Sequence, residues 1–104
     1  MIVIWGYGSI GSRHLDNLLS LEVDNLALIT QHPARVKETV SKFIRIVEHP
    51  NHLDWKDVNS LIIATPTALH TENLKFGLKN GAKNIYLEKP ISNTDTDIDE
   101  ISAL

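Results

Sequence analysis

Short apolar runs alternate along this chain with segments of helical period, and that alternation restricts the fold more than any other feature. The runs are MIVIW (residues 1–5), LALIT (26–30), FIRIV (43–47), SLIIAT (60–65) and KNIYL (83–87). They are too short and too rich in β-branched residues for helices, so they read as strands. Between the first two, Ile10, Leu15, Leu18, Leu19 and Leu21 recur at near-helical spacing and predict an amphipathic helix over 9–20. Pro33 opens a second predicted helix with Val36 and Val40 on its buried side. Residues 49–57 read as a loop holding at most one helical turn. A third helix is expected over 67–80, with Leu69, Leu74, Phe76 and Leu78 as its apolar members and Gly81 just past its end. Asn93 or Thr94 can cap a last helix that carries Ile98, Ile101 and Leu104 on one face.

Strands that are apolar on both faces need cover on both faces, and intervening helices supply it. Right-handed crossovers then give an α/β fold: a doubly wound parallel sheet of about five strands in the order 3-2-1-4-5, the Rossmann arrangement. With 104 residues the chain holds one domain, 1–104, and one core.

Composition narrows the partners. The formal net charge is -3 and the ten basic residues are scattered, which argues against a nucleic-acid groove. No run of about 18 apolar residues is present for a membrane span, and no signal-peptide pattern opens the sequence. With no cysteine, neither a disulfide framework nor a thiolate metal site can form. The expectation is a cytoplasmic protein that meets neither nucleic acid nor membrane.

The segment GYGSIG places Gly6, Gly8 and Gly11 in G-x-G-x-x-G spacing. Between a strand and a helix this pattern predicts a dinucleotide-binding turn. Gly6 permits the tight turn, Gly8 lets backbone approach a pyrophosphate, and Gly11 brings helix and sheet close together. The helix N-terminus then offers unpaired N–H groups to the phosphates. About 20 residues on, such turns expect an acidic residue for the adenosine ribose. Here Thr30 stands at that position, followed by Gln31 and His32, with no carboxylate. A hydroxyl can still bond the ribose, but the charge that repels a 2′-phosphate is missing, and His32 and Arg35 can pair with one. The reading is NAD or NADP with a slight lean to NADP. Arg35 is equally well explained as a solvated side chain in a first helical turn.

Two further segments end strands at the edge where open α/β sheets bind ligands: ATPTALH after the fourth strand and EKPIS after the fifth. Pro66 and Pro90 each hold the preceding residue, Thr65 and Lys89, in extended geometry. Either proline alone is explained by strand termination; the pair on the glycine-loop side points to a site.

GYGSIGSRH, ATPTALH and EKPIS, in this order and spacing over essentially the whole chain, resemble the glucose-fructose oxidoreductase, inositol dehydrogenase and rhizopine catabolism family of nicotinamide-dependent oxidoreductases. The resemblance implies that Gly6, Gly8, Gly11 and the backbones of Ser9 and Ile10 hold the pyrophosphate. It implies that Thr65 and Pro66 line the nicotinamide-ribose side with His70 close behind. Glu88 would bond the nicotinamide ribose, and Lys89 would lie beside the nicotinamide and the substrate hydroxyl as the catalytic group. Alcohol oxidation releases a proton with the hydride, so a group at the hydroxyl must take it. Beside an oxidised, cationic nicotinamide the ammonium form of Lys89 is disfavoured, which suits it to that role. The implied substrate is a sugar, sugar nucleotide or polyol.

Family members also carry a second, mostly antiparallel α+β domain with the substrate pocket, much of the oligomer interface and an Asp-x-x-x-His pair. The 104 residues contain none of it, so the expectation is a nucleotide-binding domain with little turnover alone, from a homo-oligomeric parent. The alternative from another class is a non-catalytic dinucleotide-binding module that senses redox state. Other features carry less. His49 and His52 lack a third ligand nearby and read as loop surface, so no metal is expected. Arg13 and His14 suit a phosphate or substrate contact, and helix packing accounts for them at least as well. The acidic cluster Asp95, Asp97, Asp99 and Glu100 suits a solvated helix start. Trp5 and Trp55 read as core or helix-covering residues.

Overall fold

The structure, a computed structural model, describes residues 1–87. The segment from Glu88 to Ser92 and the expected last helix lie outside the described residues. Five strands form one all-parallel sheet: β1 (Ile2–Trp5), β2 (Leu26–Ile29), β3 (Arg45–Val47), β4 (Ser60–Ile63) and β5 (Asn84–Leu87). Their order is β3-β2-β1-β4-β5, as the alternation of runs predicts. The three α-helices among the described residues are α1 (Ser9–Ser20), α2 (Glu38–Ser41) and α3 (His70–Lys79).

Period-two alternation divides the strand residues between two cores. Ile4, Leu26 and Leu28 meet Leu15 of α1 and Val36 and Val40 of the β2–β3 connection on one face. Val3, Ala27, Ile29, Val47, Leu61 and Ile63 meet Leu74 of α3 and the Leu53–Val58 segment on the other. β1 is central, paired to β2 and β4, and Val3 and Ile4 are wholly buried.

Where an element departs from expectation, the reason is local. The helix expected from Pro33 is a 3-10 turn, Pro33–Arg35, then a break, then the single turn of α2. Val36 and Lys37 are extended at the break, a conformation that suits the β-branched Val36, which is buried. Phe43, expected in β3, precedes the strand and is 69% exposed. Residues 49–57 hold two 3-10 turns rather than one, Pro50–His52 and Trp55–Asp57. Trp55 makes the second of these a structural cover: its indole N–H donates to the Pro50 carbonyl at 2.8 Å, and its ring meets Phe76 edge-on at 5.3 Å. Trp5 meets the same Phe76 at 5.7 Å. The rings of His49 and His52 meet each other edge-on.

In α3 the buried stripe is His70, Asn73, Leu74 and Gly77, while Leu69 and Leu78, expected on the apolar face, are exposed. Gly77 lets the helix approach β4, since a Cβ there would lie 2.7 Å from Leu61 Cδ2. Past the C-terminus of α3, Gly81 takes φ +83°, and the N–H groups of Gly81 and Ala82 donate to the Leu78 and Gly77 carbonyls. α1 ends in the same hydrogen-bond pattern, but with Glu22 rather than glycine in the left-handed conformation, at φ 60°. No helix among the described residues is long and apolar enough to cross a membrane.

Candidate functional site

The parallel register brings the carboxyl ends of the strands to one level. Trp5 is level with Ile29 and Ile63, Ile29 with Val47, and Ile63 with Leu87. Backbone bonds carry the ladder one residue further: Gly6 N–H to the Ile29 carbonyl at 2.9 Å, Ala64 N–H to the Trp5 carbonyl at 2.8 Å, and Thr30 N–H to the Val47 carbonyl at 3.0 Å. The glycine loop, the Thr30 turn and the Ala64–His70 turn therefore all leave one edge of the sheet. The chain leaves β5 at that edge too, immediately before Glu88 and Lys89, which lie outside the described residues.

The three glycines of the loop answer different demands. Gly6 takes φ +108°, and a Cβ there would lie 2.7 Å from the Ala64 carbonyl oxygen. At Gly11 a Cβ would fall 2.0 Å from the Gly6 carbonyl oxygen. Both positions are closed to side chains by the protein itself. Gly8 is not: its φ of -87° suits any residue, and a Cβ there would meet nothing within 4 Å. The fold gives no reason for glycine at position 8, and the space beside its backbone is open.

Gly8 is also the N-cap of α1, and a glycine there has no side chain to cap the helix. A helix leaves its first N–H groups without intrahelical partners and gathers partial positive charge at that end. No acidic residue occupies the first turn of α1, and Gly8, Ser9 and Ile10 are exposed. Three donors, a positive helix end and an open approach fit the diphosphate of a dinucleotide.

At the end of β2, Thr30 is 7% exposed, and its hydroxyl oxygen accepts from the His32 N–H at 3.1 Å. That bond uses an oxygen lone pair and leaves the hydroxyl proton to donate. Gln31, His32 and Arg35 are exposed around it, with Arg35 closing the 3-10 turn. The rim thus presents donors and a guanidinium where a carboxylate would present acceptors.

At the end of β4, α3 grips Thr65 at two points. The Thr65 hydroxyl donates to Asn73 Oδ1. His70 Nε2 lies 2.7 Å from the Thr65 carbonyl oxygen, which can only accept, so Nε2 carries the proton. His70 is 2% exposed and reaches the site through Thr65. Pro66 is exposed beside them. Asn73 was not legible as a site residue, because buried amides leave no mark on hydrophobic periodicity; its one signal is its place at i+3 from His70 on the same helix face. Arg13 is exposed on α1, and His14 stacks edge-on against Tyr86 of β5 at 5.7 Å. An open groove of about 760 Å³ is lined by Ile2, His14, Leu18, Ile62 and Tyr86, among others, on the α1 side of β4 and β5. It lies away from the strand ends described above.

Over residues 1–104 the chain matches the GFO_IDH_MocA family, the oxidoreductase family with an NAD-binding Rossmann fold. It is 25% identical over 104 residues to 4-carboxy-2-hydroxymuconate-6-semialdehyde dehydrogenase of Sphingobium sp., covering 96% of this chain and 33% of that protein. Among solved structures it is similar to myo-inositol 2-dehydrogenase from Lactobacillus plantarum, with a TM-score of 0.83 at 20% identity, covering 98% of this chain and 31% of the other. A 3-ketoreductase from Actinomadura kijaniata, in complex with NADP and TDP-benzene, gives a TM-score of 0.79 at 24% identity, covering 98% and 32%. At these identities the two structures speak for the fold alone. The chain spans about a third of the length of each of these relatives.

Proposed function

The chain belongs to this family of NAD-binding oxidoreductases, and from that premise we propose that it is the nucleotide-binding part of an enzyme that moves a hydride between a nicotinamide dinucleotide and a sugar, sugar-nucleotide or polyol hydroxyl. The observation that carries the reading is Gly8, a glycine that the fold does not require, at the uncapped N-terminus of α1.

In this reading the N–H groups of Ser9, Ile10 and Gly11 hold the diphosphate, and Gly8 keeps the approach clear. Thr30, Gln31, His32 and Arg35 surround the adenosine ribose. A donor hydroxyl and a guanidinium without a carboxylate favour the 2′-phosphate of NADP slightly over the bare ribose of NAD. Thr65 and Pro66 line the nicotinamide half, and His70 positions Thr65. When bound, the dinucleotide accepts or gives the hydride. Glu88 accepts a hydrogen bond from the nicotinamide ribose, and Lys89 takes the hydroxyl proton during oxidation and returns it during reduction. The enzyme in this reading is a cytoplasmic homo-oligomer.

Calorimetric titration with NADH and NADPH tests the reading. Saturable binding of at least one is expected, with NADPH the tighter. Silence from both would refute it.

A further inference from the structure

We propose that Asn73 is a positioning residue that fixes the hydrogen-bonding polarity of Thr65, so that the β4 side of the site accepts a donor group from the nicotinamide half of the dinucleotide. The inference rests on the dinucleotide reading above and deepens it.

A threonine hydroxyl can donate one proton and accept through two lone pairs, and it rotates to suit its neighbours. A hydroxyl free to rotate gives a ligand no fixed polarity. Here Thr65 is not free: its hydroxyl donates to Asn73 Oδ1, and an amide oxygen can only accept. The hydroxyl proton is therefore drawn into α3, and lone pairs are what remain on the other side. Asn73 is 6% exposed and Thr65 half-buried, so water does not compete for the proton on the helix side. His70 holds the carbonyl of the same residue. Backbone and side chain of Thr65 are thus tied to one helix face by residues 70 and 73, three positions apart on α3.

A residue with fixed lone pairs selects a ligand group that donates. The nicotinamide half has two such groups, the ribose hydroxyls and the carboxamide N–H₂, and the adenosine half is served by other loops. The prediction is therefore local: disturbing Asn73 weakens recognition of the nicotinamide half alone. A merely structural asparagine would lower stability and shift all nucleotides together.

The test compares NADH with ADP-ribose, and NADPH with 2′-phospho-ADP-ribose, by calorimetry on the whole chain. Asn73→Leu, similar in volume but unable to accept, is expected to weaken the dinucleotides about fivefold, the worth of one neutral hydrogen bond. The ADP-riboses should change less than twofold. Thr65→Val should cause the same loss, and the double variant should lose no more than either single one. Asn73→Asp keeps the acceptor within the first turns of α3, where the helix end tolerates a negative charge, and should bind near the wild-type level. It also keeps the test open if Asn73→Leu fails to fold. Equal shifts in dinucleotides and ADP-riboses, additive losses in the double variant, or a fivefold loss in Asn73→Asp would each overturn the proposal. A wild-type chain that binds ADP-ribose as tightly as NADH would overturn it while leaving the diphosphate site standing. A wild-type chain that binds neither would overturn both.

Discussion

Gly8→Ser sets stability and binding against each other. Position 8 is the N-cap of α1, its backbone is extended, and a side chain there meets no protein atom within 4 Å. A serine oxygen at an N-cap accepts from the N–H two or three residues on, here Ile10 or Gly11, and improves on glycine by a few tenths of a kcal/mol. Replacing glycine where its φ suits any residue also narrows the unfolded ensemble, by about 0.4–1 kcal/mol. The sum is about 1 kcal/mol of added stability, or a rise in Tm of about 4–8 °C for a domain near this size. The same oxygen takes a donor that the diphosphate needs. Losing one hydrogen bond to a charged group costs about 1.5–3 kcal/mol, so affinity for NADH and NADPH should fall by roughly 10- to 150-fold. Thermal melts followed by circular dichroism, with calorimetric titration of the same samples, read both quantities. A stabilised variant that binds as well as wild type would refute the assignment of these N–H groups to phosphate. A destabilised variant would refute the statement that the fold leaves position 8 free.

Other perturbations follow from the same geometry. Gly11→Ala drives a Cβ against the Gly6 carbonyl and should destabilise by roughly 2–4 kcal/mol, read by urea unfolding, before any question of binding arises. Glu22→Gly relieves a left-handed residue at the end of α1 and should stabilise by about 1 kcal/mol, visible as a raised melting temperature. Trp55→Ala removes the cover of one sheet face and its contact with Phe76, at about 3–5 kcal/mol in denaturant titrations. Arg35→Ala should weaken NADPH about tenfold and leave NADH nearly unchanged. Equal losses for both would remove the 2′-phosphate from the account.

The order of the sheet was legible because each strand is short, apolar and separated from the next by a segment that cannot continue it. β4 is the clearest case, with SLII followed by Pro66. The glycine loop was legible because three glycines at fixed spacing follow a strand, although only the structure separates Gly6 and Gly11, which packing requires, from Gly8, which it does not. The α3 face was misread for a physical reason. Counting apolar residues selects Leu69 and Leu78, whereas the helix buries His70, Asn73 and Gly77, two polar side chains held by Thr65 and a glycine that lets backbones approach. The broken helix after Pro33 was equally hidden, since Val36 and Val40 are buried in the broken form as they would be in a continuous helix.

The most direct test of the central claim is an amide chemical-shift titration of the labelled chain with NADPH and with NADH. The account predicts that the Ser9, Ile10 and Gly11 amides move first and furthest, that Thr65 moves with them, and that residues of the Trp55 turn on the covered face stay still. Saturable binding that leaves the Ser9, Ile10 and Gly11 amides unmoved would contradict it.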